Sequence, residues 1–202
     1  MKTIRNCVIL CIAAAAVIIP KSAYCAEERQ LFYTYAGPFI GAAYNMIKYP
    51  EWDSSVPPKQ RDLTVNGPAY TIGGAFQVYA DQFAGDFRIG YMNNQNDGSH
   101  AVQHLQWSLC VKYLWGIDEN IFVGTGLGIY IETPPASGGY DGSGGIQLPA
   151  SFVYNYSNTV KLFADLEFRI GSYGHSSNMG DDDSRKMAIG LTAGVVFNVG
   201  RL

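Results

Sequence analysis

Six charged residues lie within short segments in which polar and apolar residues alternate. They are Asp86, Arg88, Lys112, Asp165, Glu167 and Arg169. Because every second residue of an extended strand points to the same side, each segment presents its charges on one face. Three carboxylates that face three cations in an enclosed space can form ion pairs, or they can line a narrow path for a polar solute. The residue types therefore leave two interpretations open, a charge-paired plug and a gated solute pathway.

The segment 174–178 reads Gly-His-Ser-Ser-Asn and contains the candidate residues His175 and Ser176. It resembles the His-x-Ser-Asn motif of an eight-stranded lipid A deacylase family, in which histidine and serine act with a carboxylate. That chemistry needs a base beside the hydroxyl and a group that orients the base. Two features differ from the family: Ile189 stands where its acid is placed, and His175 falls in a polar loop. We therefore expect no catalytic residues and no enzyme, and a lipid A-modifying hydrolase is the least favoured alternative.

Residue types that bind metals are present, but no complete ligand set is visible. Asp181, Asp182 and Asp183 could hold a divalent cation or bridge lipopolysaccharide through one, although such a triplet is more often a solvated loop. His100 and His104 are four positions apart and have no third ligand in view. We expect no metal site and no cofactor.

The candidate residues lie on segments that alternate bulky apolar residues with small or polar ones, as β-strands with two different faces do. Eight segments follow this pattern. In the last segment, the apolar face comprises Met187, Ile189, Leu191, Ala193, Val195, Phe197 and Val199. The first segment, around residues 37–47, is the least regular, and its expected outer face is Ile40, Ala42, Tyr44 and Met46.

The connections between these segments alternate in length. Long connections are predicted at residues 50–68, 93–101, 133–144 and 172–184, and short ones near residue 81 and at residues 116–120 and 157–159. The long connections would lie at one end of the sheet, and the short turns would lie at the other end with both termini. Outer-membrane barrels have this layout, with short periplasmic turns and longer external loops.

The direction of the apolar face distinguishes a membrane barrel from a soluble one. Aromatic residues of this face cluster near the segment ends, as in the girdles at membrane interfaces. They are Tyr44, Tyr70, Phe83, Tyr91, Tyr113, Trp115, Tyr154 and Tyr156. The polar face carries glycines that leave room for charged side chains in a narrow lumen. We therefore predict an all-β fold, an eight-stranded antiparallel up-and-down transmembrane β-barrel within residues 26–202.

Two stretches resemble small bacterial outer-membrane barrels of the OmpA, OmpX and OmpW class. Residues 192–197 (TAGVVF) are similar to the C-terminal β-signal of these barrels, and residues 121–128 (IFVGTGLG) are similar to a strand common among them. The resemblance covers about residues 33–202 and does not select a subfamily. Family barrels usually end on an aromatic residue, whereas this sequence continues for five residues past Phe197. The resemblance implies an integral protein of the bacterial outer membrane.

Residues 1–25 have the features of a cleaved export signal. Lys2 and Arg5 precede an apolar run at residues 7–20, and small residues follow. Removal of the segment would take away the three cations Lys2, Arg5 and Lys21, and the formal net charge would change from −3 to −6. A mildly acidic mature chain argues against nucleic acid as a partner. Cys110 is the only cysteine certain to remain, so no disulfide framework is expected.

Two classes of function are consistent with such a barrel. In the first, it has a structural or interaction role, adhesin-like, in which its external loops and above all residues 51–66 meet a host or another cell surface. In the second, it is a narrow channel for a small solute. Outer-membrane lipid and lipopolysaccharide are the expected partners in both, and both termini are expected to be periplasmic.

Overall fold

The computed structural model describes residues 32–53, 59–96, 100–133, 143–173 and 185–201. Almost all of them belong to eight strands: β1 (Tyr33–Asp53), β2 (Lys59–Ala80), β3 (Phe83–Asn96), β4 (His100–Gly116), β5 (Ile121–Thr133), β6 (Ser143–Ser157), β7 (Val160–Tyr173) and β8 (Arg185–Arg201). Each strand pairs antiparallel with its sequence neighbours, and β1 pairs with β8 to close the barrel. The predicted all-β, eight-stranded antiparallel up-and-down barrel is confirmed.

The seam between β1 and β8 extends from the Tyr33–Arg201 pair to the Lys48–Arg185 pair. The residues after Phe197 therefore belong to the last strand, as far as Arg201. Closure gives every strand of the barrel wall two hydrogen-bonded neighbours, which is what a sheet needs in order to cross a bilayer.

The wall of the barrel has its apolar face outward. Ile40 is 65% exposed and Ile72 is 64% exposed, whereas Asp165 is fully buried and Lys112 is 3% exposed. This is the reverse of a water-soluble protein, and it is the arrangement of an outer-membrane barrel. The outer faces predicted for the first and last segments, now β1 and β8, are confirmed. No helix in the described part of the chain is long and apolar enough to span a membrane.

Aromatic side chains lie on the outer face near both ends of the barrel. At the end of the long connections, Tyr44, Tyr70 and Tyr91 are between 45% and 54% exposed. At the end of the short turns, Tyr113 packs edge-on against Trp115, with ring centroids 5.0 Å apart. Rings at these two levels are typical of the two interfaces of a membrane.

The predicted boundaries of two long connections are wrong. Residues 50–53 and 59–68 are paired strand residues of β1 and β2, and residues 93–96 and 100–101 belong to β3 and β4. The sequence loses its alternation of apolar and polar residues in these stretches, but an antiparallel hairpin continues wherever its two strands satisfy each other's backbone groups. Pro50 lies beyond the last β1–β8 pair. Proline has no backbone N–H to donate, and it is tolerated here because one edge of β1 has no hydrogen-bonded partner strand at this position.

Glycines on the inner face of β5 allow side chains of β4 to cross it. A Cβ atom at Gly128 would overlap the Leu109 carbonyl oxygen and the Cys110 sulfur, and one at Gly126 would press against the Lys112 side chain. These positions make room for Lys112 and Cys110 inside a narrow barrel.

Gly128→Ala is expected to lower the free energy of unfolding by about 1–3 kcal/mol, because the neighbouring Leu109 carbonyl belongs to the ladder and cannot move aside. The measurement is a urea titration of the barrel refolded in vesicles. Gly74→Ala is the matched control, since a Cβ there meets nothing within 4 Å. Equal stability of the two variants would contradict this account of the inner face.

Candidate functional site in the barrel lumen

Arg88 reaches across the lumen from β3 to β7. Its guanidinium lies 2.5 Å from Asp86 and 2.6 Å from Glu167, and it also pairs with Asp165. Lys112 on β4 donates to Asp86 at 2.6 Å and to Asp165 at 2.7 Å. Because β3 and β7 are four strands apart in a closed barrel of eight, these contacts join opposite walls. The barrel is therefore filled by side chains at this level.

A second group of charges lies nearer the long connections. Arg169 donates to Glu167 at 2.5 Å, and its other terminal nitrogen lies 3.9 Å from Glu132. Glu132 also accepts hydrogen bonds from Lys186 and, at 2.5 Å, from the hydroxyl of Ser143. Lys186 in turn donates to the Ser143 hydroxyl at 3.3 Å. Glu167 receives both Arg88 and Arg169, so the two groups of charges are continuous.

All six charged residues singled out in the sequence face the lumen and lie in this continuous set. Glu132 and Lys186 belong to it as well and were missing from the prediction. Both follow the inward phase of their strands, Glu132 two residues after Tyr130 and Lys186 two residues before Ala188. Strict continuation of the alternation to the strand ends would have found them. We call these eight residues the lumen network: Asp86, Arg88, Lys112, Glu132, Asp165, Glu167, Arg169 and Lys186.

The lumen network is balanced in charge and removed from solvent. It contains four carboxylates and four cations, each at most 7% exposed. Buried charges are tolerated only when they are paired and hydrogen-bonded, and each member here has an oppositely charged neighbour within 4 Å. The arrangement can hold the walls of the barrel together, and it presents no unmatched charge to attract an ion.

Apolar and aromatic side chains fill the lumen on the side of the short turns. We call this set the apolar plug: Tyr35, Phe39, Ala75, Tyr79, Ala84, Leu114, Val153, Phe163 and Val196. The ring centroids of Phe39 and Phe163 lie 5.8 and 4.9 Å from the Arg88 guanidinium. At these distances the rings attract the cation, so the plug supports the network from one side.

A small cavity lies between the apolar plug and the charges that are nearer the long connections. Its lining comprises Phe39, Thr71, Arg88, Gln106, Ser108, Arg169 and Thr192. Its volume of about 10 Å³ is that of roughly one water molecule. A space of this size does not admit a solute.

The remaining predicted candidates belong to the catalytic and cation-binding interpretations of the sequence. His175 and Ser176 lie outside the described residues, as do Asp181, Asp182 and Asp183, so the structure does not test the hydrolase or cation interpretations. Within the part of the chain that is described, no three His, Cys, Asp or Glu side chains are grouped to hold a metal ion.

Comparisons with known proteins show likeness in fold alone. No protein-family model and no curated protein matches the sequence. The outer membrane protein OprG from Pseudomonas aeruginosa is 14% identical, with a TM-score of 0.49, over 84% of this chain and 95% of OprG. Neisserial surface protein A is 15% identical, with a TM-score of 0.39, over 80% and 97%. Ail of Yersinia pestis is 12% identical, with a TM-score of 0.36, over 81% and 97%. Likenesses of this size assign no function to the chain.

Lys186→Met is expected to lower the free energy of unfolding by about 3 kcal/mol, because Glu132 is left buried with Arg169 at 3.9 Å as its nearest cation. Adding Glu132→Gln is expected to recover most of that loss, since a neutral amide needs no counter-ion. Urea titration of the refolded barrel measures both.

Arg201→Gln is the control, since Arg201 is exposed at the opposite end of β8. A double variant no more stable than Lys186→Met alone would show that the pair of charges is not what the substitution disturbs.

Proposed function

We propose that this outer-membrane barrel has a structural or interaction role at the cell surface, adhesin-like, in which the extended β1–β2 hairpin meets the partner. In this proposal the short turns and both termini face the periplasm, and the long connections face outward. The extension of β1 and β2 beyond the barrel wall is the observation that carries the proposal.

The hairpin continues after its neighbours have ended. β1 pairs with β8 only as far as Lys48, and β2 pairs with β3 only from Ala69 onward. β1 and β2 nevertheless remain paired to the Asp53–Lys59 pair. We call residues 49–53 and 59–63 the β1–β2 ribbon. Five residue pairs extend it about 17 Å past the end of the β1–β8 seam.

A ribbon of this kind supports binding for a physical reason. Each of its strands has one edge without a neighbour among the described residues, so backbone donors and acceptors remain available on both sides. Such edges can pair with an extended segment of another protein, and the side chains beside them set the specificity. Proteins that do not use an edge usually shorten or cover it.

The filled lumen favours this role over a channel. The ion pairs of Arg88 and Lys112 join opposite walls, and the apolar plug fills the short-turn side. Ions would have to displace charge-paired side chains and then cross an apolar layer, and both steps are costly.

The refolded protein is therefore expected to give no conductance above that of the empty membrane in planar bilayers. Insertion is checked independently by the heat-dependent mobility of the recovered barrel on a denaturing gel. Reproducible conductance steps from inserted protein would contradict the interaction role and would support a channel for a small solute instead.

Expression in a non-adherent strain is expected to increase attachment to epithelial cells or to neighbouring bacteria, and shortening the ribbon is expected to abolish that increase. Replacing residues 50–62 with Asn-Gly keeps Tyr49 opposite Leu63 and closes the hairpin with a two-residue turn. Cell-attachment counts at equal amounts of folded surface barrel measure the effect.

The matched control shortens residues 134–142, another long connection, and leaves the ribbon intact. Attachment that persists without residues 50–62 would remove the ribbon from the proposal, and attachment equal to that of the empty strain would remove the role itself.

A further inference from the structure

A proline interrupts the wall of the barrel in the middle of β6. The ladder between β5 and β6 is paired as far as Thr125 on β5 and resumes, in the same register, at Gly128. In this register Pro149 falls opposite Gly126. Because proline has no backbone N–H, it cannot donate to the carbonyl of the facing residue. We call the unpaired stretch the β5–β6 gap: Gly126 and Leu127 on β5, Leu148 and Pro149 on β6.

The β5–β6 gap concerns one boundary and leaves the neighbouring boundaries paired. On their other sides, Gly126 pairs with Lys112 of β4, and Pro149 pairs with Glu167 of β7. The gap divides the β5–β6 ladder into two blocks of five pairs, and no other boundary of the described barrel has a ladder so short. Proline is rare in central strands because it removes such a bond. The wall therefore has its weakest lateral pairing between β5 and β6.

The β5–β6 gap faces hydrocarbon. Leu127 and Leu148 belong to the outward faces of their strands and are 52% and 45% exposed. Hydrocarbon contains no donor that could replace the missing N–H. Thr125, on the same outward face, donates its hydroxyl to the Pro149 carbonyl at 3.1 Å. This hydrogen bond spans the boundary beside the gap and partly offsets the interruption.

On the lumen side, no side chain of β5 covers the gap. The inward residues of β5 at this level are Gly124, Gly126 and Gly128. The Cys110 side chain of β4 crosses over Gly128, and its sulfur accepts a hydrogen bond from the Gln147 amide of β6 at 2.6 Å. The thiol therefore lies directly behind the boundary, next to the gap. Cys110 is only 3% exposed, so a reagent reaches the thiol only when the wall moves.

A proline also interrupts the β1–β8 seam, but its surroundings differ. Pro38 lies in an unpaired stretch of β1, and the ladder beyond it is unbroken from Phe39 to Lys48. On the lumen side, Tyr35 and Val196 of the apolar plug lie beside this stretch. A longer ladder and a packed apolar interior therefore hold the seam closed, whereas glycines back the β5–β6 gap.

We propose that β5 and β6 part locally at the β5–β6 gap while the other boundaries stay paired, and that this lateral opening exposes the Cys110 thiol to small apolar molecules dissolved in the bilayer. Proteins open locally where hydrogen bonds and packing contacts are few. Both conditions meet at the gap, because one ladder bond is missing and glycines line its lumen side. The opening leads to the thiol and not across the membrane, since the apolar plug and the lumen network remain in place.

Rates of thiol modification test the opening in the full chain refolded in phosphatidylcholine vesicles. The probe is N-cyclohexylmaleimide, which partitions into the bilayer, and its adduct at Cys110 is quantified by mass spectrometry of the peptide that contains this residue. Pro149→Ala restores an N–H and is expected to slow the modification about fivefold, the equivalent of one hydrogen bond. Thr125→Val removes the hydroxyl that spans the boundary and is expected to accelerate the modification by a similar factor.

Three further variants separate the hydrogen bonds from changes in shape. Thr125→Ser keeps a hydroxyl and is expected to react at the rate of the unchanged chain. Pro149→Val restores the N–H without the space that alanine leaves, and it is expected to react as slowly as Pro149→Ala. Ser108→Cys in a Cys110→Ser background moves the thiol to the next inward position of β4, opposite Tyr130 instead of a glycine. This thiol is expected to stay unmodified over the same time.

Several outcomes would overturn the proposal. Equal rates for the unchanged chain and the Ser108→Cys variant would indicate unfolding of the whole barrel. Rates for Pro149→Ala and Pro149→Val equal to that of the unchanged chain would remove the gap as the cause, and a Cys110 that reacts only in urea would remove the opening. The charged reagent sulfonatoethyl methanethiosulfonate is expected to leave Cys110 unmodified, and equal modification by both reagents would place the path through the ends of the lumen.

The lateral opening does not depend on the proposed surface role. None of these substitutions lies in the β1–β2 ribbon. Failure of the thiol experiment therefore leaves the attachment experiment valid, and loss of the attachment role leaves the thiol measurement unaffected.

Discussion

The ladder between β1 and β8 is the interaction on which the rest of the molecule depends. Hydrocarbon offers no partner to backbone N–H and C=O groups, so a strand that crosses a membrane must be paired on both sides. The pairs from Tyr33–Arg201 to Lys48–Arg185 give the first and last strands their second neighbour. Once the sheet is closed, one face of every strand must meet lipid and the other face must be enclosed.

Enclosure dictates the composition of the interior. An eight-stranded barrel is just wide enough for side chains to fill it, so inward charges lose most of their hydration and must find partners. The four carboxylates and four cations of the lumen network meet this requirement by pairing with one another, both along a strand and across the lumen. The apolar plug fills the remaining length, so that one part of the interior is ionic and the other apolar. The same chain can therefore be strongly charged inside and yet stable in lipid.

Much of this fold follows from residue order alone, because a membrane and a lumen impose opposite demands on alternate residues. Alternation predicts the number of strands, their outward faces and six members of the lumen network. It does not predict that β1 and β2 continue past their last pairs with β8 and β3, since the backbone pairing of a hairpin requires no alternation of side chains. It also does not predict that Arg88 meets Glu167, because contacts across the lumen depend on curvature and stagger of the whole barrel. The partner at the surface depends on shape and chemistry that no periodicity encodes.

The lumen network also has a consequence for the order of events in folding. Arg88 and Glu167 are 79 residues apart, and Lys186 and Glu132 are 54 residues apart. Such contacts form only after distant parts of the chain have come together, and the entropy of closing those long loops is lost before the contacts stabilise the chain. Folds dominated by contacts of this range form slowly. The charges of the lumen network therefore find all of their partners only when the barrel closes, so closure of the seam is also the event that takes eight ionised groups out of water.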